Sequence, residues 1–149
     1  MSTEQTNNLK LAGKNEEDLK VISAYLQDSI VAVKDIIFLK KNRRFIMLLN
    51  RFMWEDLEKG PFRENKRIRC ILKFEEVIKV KSKNINQKNK NKLFEYLAIK
   101  SSLICDNTFK IKIFFSGDSV ITIISEVIEV FMSDLGKPWK AKSLPMHKI

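Results

Sequence analysis

The sequence predicts an α+β fold. Its sheet is antiparallel and strongly curled, or a partly open barrel, of about seven strands, with an N-terminal helix and a C-terminal capping helix. Three observations carry this reading. Phe109, Ile111, Ile113 and Phe115 alternate with Lys110, Lys112 and Phe114, which makes a strand with one wholly apolar face. Gly117-Asp118 separates that run from a second apolar run at residues 120–124, as in a hairpin. The period then changes. Val127, Ile128, Phe131 and Leu135 fall at helical spacing, Ser125 stands where a cap would, and Gly136 with Pro138 supplies a stop.

The remaining elements follow along the chain. Residues 1–14 read as a mobile tail. Asn15 opens a helix: Asp18 lies three residues on, and Glu16 and Glu17 occupy the first turn. Leu19, Val21, Ile22, Tyr25 and Leu26 form its apolar stripe, which ends near Asp28. Residues 29–33 and 35–39 read as strands, and residues 40–43 as a turn. Residues 44–53 form a return strand that is apolar on both faces for most of its length, as in a central strand or barrel wall. Gly60-Pro61 marks a loop. In residues 67–74, Ile68, Cys70, Leu72 and Phe74 face inward while Arg67, Arg69 and Lys73 face outward. A kink near Glu75-Glu76 leads to a strand with Ile78 and Val80 inward. Residues 84–92 (N-I-N-Q-K-N-K-N-K) are polar and of low complexity, so they read as an exposed loop. Residues 93–105 form a long strand that turns at Asp106-Asn107. One domain spans residues 15–139, and residues 140–149 form a second tail.

Hairpin connections throughout imply antiparallel pairing, and so many strands must protect their edges by curling or closing. This element order is similar to the pleckstrin-homology-like barrel, where meandering strands end in a capping helix. The likeness is one of architecture, and many functions share such a scaffold.

Composition narrows the class. The chain has 149 residues, 44% of them hydrophobic, which suits one domain with a true core. No apolar run reaches the ~18 residues of a membrane helix, so membrane insertion is not expected. The polar N-terminus lacks the apolar stretch of a secretory signal, so the cytoplasm is the expected compartment. Cys70 and Cys105 both stand in predicted strands. They are expected to be reduced and buried, with no redox or metal role.

The formal net charge is +10. A balance this basic points to nucleic acid or an anionic surface. Lysines outnumber arginines 22 to 6, and Asn and Ile are abundant. Such a bias also follows from an AT-rich genome, while specific phosphate recognition favours the arginine fork. Charge alone therefore does not settle the partner.

Four segments carry a family resemblance. They are L-Q-D-S-I-V-A-V at residues 26–33, L-N-R-F-M-W-E at 49–55, L-A-I-K at 97–100 and I-E-V-F-M-S-D-L-G-K-P-W at 128–139. In this order they resemble a family of uncharacterised alphaproteobacterial proteins, a domain of unknown function. Ser29 departs from the family's preferred Ala, and the loop at residues 84–92 has no counterpart there. The resemblance implies a bacterial cytosolic protein and assigns no activity, so no residue role carries over.

Several catalytic designs lack parts. The single histidine, His147, stands near the C-terminus, where a positioned imidazole is hard to build. There is no P-loop or GxGxxG, and no carboxylate spacing resembles a metal site. No cofactor and no enzymatic activity are expected. The expected function is a non-catalytic binding module for a protein or small ligand, or for a second copy of the chain. Two residue groups are candidates for that contact. Asn50 and Trp54 stand with Arg51 and Glu55 at a strand end, where polar groups can line a ligand site. They can equally hydrogen-bond a loop and seal the core edge. Glu126, Glu129 and Asp134 form an acidic patch on the expected C-terminal helix, with Trp139 just beyond as an aromatic anchor. Trp139 packed on its own domain is the competing reading. The alternative function is weak binding of nucleic acid or an anionic surface through Lys79, Lys81, Lys83, Lys88, Lys90 and Lys92. That run lacks interleaved aromatics, so a solvated loop is its simpler explanation.

Overall fold

In a computed structural model, residues 9–59 and 65–141 are described. They form ten strands and one α-helix. In chain order these are β1 (Lys10–Gly13), α1 (Glu16–Leu26), β2 (Ile30–Ala32), β3 (Ile36–Leu39), β4 (Arg44–Phe52), β5 (Lys66–Phe74), β6 (Val77–Lys83), β7 (Leu93–Cys105), β8 (Thr108–Phe115), β9 (Ser119–Ser125) and β10 (Val130–Lys140). Short 3₁₀ turns sit at Val33–Asp35, Lys40–Asn42 and Trp54–Lys59.

The sheet runs β1-β10-β5-β4-β2-β7-β8-β9-β6, with β3 paired to β4 beside this path. Every pairing is antiparallel. Its two halves meet at β2, which touches β4 through one residue pair, Ile30 with Asn50, and β7 through three. The inward positions of both halves feed one buried cluster. Phe45, Met47 and Leu49 of β4, Leu72 and Phe74 of β5, Ile111 and Ile113 of β8, and Ile123 of β9 all belong to it. The helix α1 adds Leu19, Ile22 and Leu26. Burying each is worth about 2 kcal/mol, and this packing, rather than propensity, holds so short a helix.

Local chemistry explains the boundaries. Asn15 caps α1, its Oδ1 accepting from the Asp18 amide at 2.8 Å. Glu76 makes the turn between β5 and β6 at φ 55°. Asn107 (58°), Gly117 (74°) and Asp118 (58°) make the two later hairpins, residue types that tolerate the left-handed region.

The fold departs from the expectation in three respects. The sheet has ten strands, not seven, and it is open, with β1 and β6 at its ends. The segment expected to form the C-terminal helix is instead strand β10, between β5 and β1. Its true period is two. Ile128, Val130, Met132 and Asp134 are buried, whereas Leu135, at a helical interval from Phe131, is exposed. The inward Asp134 hid this alternation, because a carboxylate reads as a solvent position. Gly136 is no helix stop. At φ 71° it lies in a bulge where the β10–β5 register shifts between Leu135 and Trp139. Finally, Lys10–Gly13 of the expected tail forms β1.

Smaller differences follow from burial. Cys70 is buried as expected, but Cys105 is exposed at the end of β7. Val21 on α1 and Ile78 on β6 are also exposed, the latter because a bulge between Val77 and Lys79 resets the strand's facing. The β4 strand alternates buried and half-buried residues instead of being buried on both faces.

Candidate functional site

The Asn50–Glu55 group encloses a buried ion pair. Arg51 stands on the inward face of β4, fully buried, and meets Asp134 on the inward face of β10. Its Nε donates to Asp134 Oδ1 at 2.7 Å and its Nη2 to Oδ2 at 2.7 Å. The same guanidinium reaches forward to Glu55, with Nη1 to Oε1 at 2.9 Å and Nη2 to Oε2 at 2.7 Å. Burial alone would lower the Arg51 pKa, but the hydrogen bonds and charges of both carboxylates outweigh it and the net shift is upward. Arg51 is therefore a fixed cation whose fork is fully used. Asp134 also accepts from the Leu9 amide at 3.3 Å, which ties β1 to the centre.

The surrounding residues are equally occupied. Asn50 Oδ1 accepts from Arg69 at 3.1 Å, and Arg69 pairs with Asp35 at 3.1 Å. Trp54 Nε1 donates to the Gln27 carbonyl at 2.8 Å, and its ring packs on Phe52 with centroids 4.6 Å apart. Arg67 bonds the carbonyls of Asn50 and Asp28. Burial pushes the Cys70 thiol, opposite Asp134, up to about 12, with the Asp134 charge adding to it. A thiol that stays protonated is a poor nucleophile. The centre ties α1, β1, β4, β5 and β10 together, and its polar atoms are spent on one another.

The structure separates the other candidate group. Glu126 pairs with Arg43 at 2.8 Å in the turn after β9. The Glu129 carbonyl accepts from the Glu75 amide at 3.0 Å. Asp134 is buried in the ion pair, so it is not on an acidic surface. Trp139 lies half-exposed on β10 opposite Arg67. The helix face expected beside it is strand β10.

The lysines divide into two sets. Lys88, Lys90 and Lys92 belong to the loop between β6 and β7. Lys79, Lys81 and Lys83 alternate with the inward Val80 and Ser82, and so lie on the outer face of the β6-β9-β8-β7 half. Pairing builds a grid on that face. One row across the strands is Lys79, Ile124, Lys110 and Ser102; the next is Lys81, Thr122, Lys112 and Lys100; the third is Lys83, Val120, Phe114 and Ala98. The twelve positions hold six lysines and no acid. Among the described residues none of the six is in an ion pair. Lys100 lies over the Phe114 ring, 5.8 Å from its centroid. At the strand spacing of about 4.8 Å the face is roughly 14 Å wide. Lys110 and Lys112 sit in the first strand of the hairpin and Lys100 in the long strand at residues 93–105, so no local run of lysines marks them as a basic surface. Their outward parity was the available signal.

His147 and Gly60-Pro61 lie outside the described residues. Among the described residues no group of three or more His, Cys, Asp or Glu is arranged to hold a metal ion, and no helix is long and apolar enough to cross a membrane.

The chain belongs to a family of proteins of unknown function, DUF2948, whose family model matches residues 9–147. No curated protein and no solved structure matches it.

Proposed function

We propose that this protein is a non-catalytic binding module that holds a single-stranded nucleic acid by its phosphates on the outer face of β6-β9-β8-β7. The observation that supports this reading is the lysine grid. A lysine excess set by codon usage has no reason to fill half of these twelve adjoining positions and leave no acid among them. Lys100 and Lys112 stand directly opposite each other across β7 and β8. Like charges so placed are destabilising by a few tenths to about 1 kcal/mol, a cost that a bound polyanion removes. Acids are present in the chain but are used elsewhere, as in the pairs of Arg43 with Glu126 and Arg44 with Glu75.

The face suits sequence-tolerant contact. Lysines meet phosphates as point charges, and Phe114 is the one aromatic ring in the grid, so stacking contributes little. The setting of this reading is the bacterial cytoplasm, which the exposed free thiol of Cys105 supports.

The test is fluorescence anisotropy with a labelled oligouridylate over a range of salt. Six lysine–phosphate contacts give a slope of about −4 in log K against log salt, from about −0.7 per contact on single strands. The double variant Lys81→Glu/Lys112→Glu should flatten that slope and weaken binding at least tenfold. No binding at low salt, or equal binding by the variant, overturns the proposal. So does capture by anionic vesicles alone.

A further inference from the structure

The inner side of β6 faces a second feature. Among the described residues the outer edges of β3 and β6 are both unpaired: β3 pairs with β4 and β6 with β9. Between them lies a cleft of about 380 Å³, within the range that small-ligand pockets occupy. The gap has defined ends. The Val77 amide donates to the Arg43 carbonyl at 2.8 Å at one end. At the other, the Lys34 amide donates to the Lys90 carbonyl and the Val33 amide to the Lys92 carbonyl, both at 3.0 Å.

The lining is chemically polarised. Ile36, Phe45, Val80 and Ile121 give the cleft an apolar wall. Lys34 and Lys90 also line it, and their backbone bond places both ammonium groups' residues at the same end. Neither lysine is in an ion pair among the described residues. Apolar surface left open to water is unfavourable by about 25 cal/mol per Å², and unneutralised cations beside it add a preference for negative charge.

We infer that this cleft is a binding site for a small amphipathic anion, an aliphatic carboxylate whose chain lies along Ile36, Phe45, Val80 and Ile121 and whose head group meets Lys34 and Lys90. The site is independent of the nucleic-acid surface. On β6, Val80 and Ser82 turn toward the cleft and Lys79, Lys81 and Lys83 turn away from it.

A dansylated undecanoic acid serves as the probe, with decanoate and decanol as competitors. The expected result is saturable binding at one site, with decanoate displacing the probe at about tenfold lower concentration than decanol. Lys34→Glu/Lys90→Glu changes two exposed side chains and should remove that tenfold preference, leaving decanol unaffected. Lys81→Glu/Lys112→Glu should bind the probe as the wild type does. Methyl NMR signals of Ile36, Val80 and Ile121 should shift on titration with decanoate. Three results overturn the inference: no saturable binding, equal displacement by decanol and decanoate, or loss of probe binding in the Lys81→Glu/Lys112→Glu variant. The methyl readout needs no substitution, so it stands even if a variant folds poorly.

Discussion

The substitution Asp134→Asn probes the buried centre with almost no change of shape. It removes the negative charge that faces Arg51 and converts one accepting oxygen into a donor. Two short bonds are affected, Nε to Oδ1 and Nη2 to Oδ2, both 2.7 Å, together with the Leu9 amide contact. Breaking one partner of a buried pair typically costs about 3–5 kcal/mol, because the other charge stays buried. Here Arg51 keeps Glu55, whose side chain is 33% exposed and so only partly compensates. The expected loss is about 3 kcal/mol, a large share of the 5–15 kcal/mol that stabilises a typical domain. Urea unfolding measures it. A cycle of Arg51→Met, Asp134→Leu and the double variant Arg51→Met/Asp134→Leu separates the pair's net worth from the cost of an orphaned charge. The double variant should unfold closer to the wild type than Asp134→Asn does. A loss below about 1 kcal/mol for Asp134→Asn, or a double variant worse than the sum of its parts, would refute the reasoning.

Three further outcomes follow from the structure. A thiol reagent on the native protein at pH 8 should label Cys105 quickly and leave Cys70 unmodified until unfolding, since one is exposed and the other buried; equal rates contradict this. Burial raises Cys70 from 9.0 to about 12 and raises Tyr96 as well. The folded state therefore holds these protons more tightly than the unfolded chain does. Their contribution is complete below about pH 9 and is lost as pH rises toward 12. Urea midpoints measured from pH 8 to 11 should fall, and Cys70→Ala should reduce the fall while costing about 1–2 kcal/mol at neutral pH. Gly136→Ala should cost about 1 kcal/mol by strain at φ 71° alone, because a Cβ there meets nothing within 4 Å. A neutral result in thermal melts would show that the bulge relaxes.

The parts of the fold that were legible in the sequence are those where one physical signal dominates. The cap at Asn15, the alternation of β5 and β8 and the turns at Asn107 and Gly117-Asp118 all rest on local chemistry, and the structure has them in place. The basic face was half legible. Lys79, Lys81 and Lys83 were singled out, but their partners Lys110, Lys112 and Lys100 come beside them only through the cross-strand register. The β10 strand is not legible in the sequence because its decisive interaction is not local. Arg51 and Asp134 are 83 residues apart in the chain, and each alone reads as a residue facing water. Only once both are placed inward does β10 alternate. The same pair explains why this strand holds its position. In the β10–β5 register Asp134 faces Cys70, while Leu49, two residues before Arg51, also faces Cys70 from β4. A one-residue slip of β10 would turn Asp134 outward, strand the Arg51 charge in the core and bring Ser133 or Leu135 in its place. Apolar packing alone would penalise that slip weakly, because Phe131 and Leu135 on the other parity are themselves apolar. The ion pair thus supplies the register specificity that the hydrophobic pattern of β10 lacks, and the ambiguity between its two faces is the one that Arg51 resolves in the folded protein.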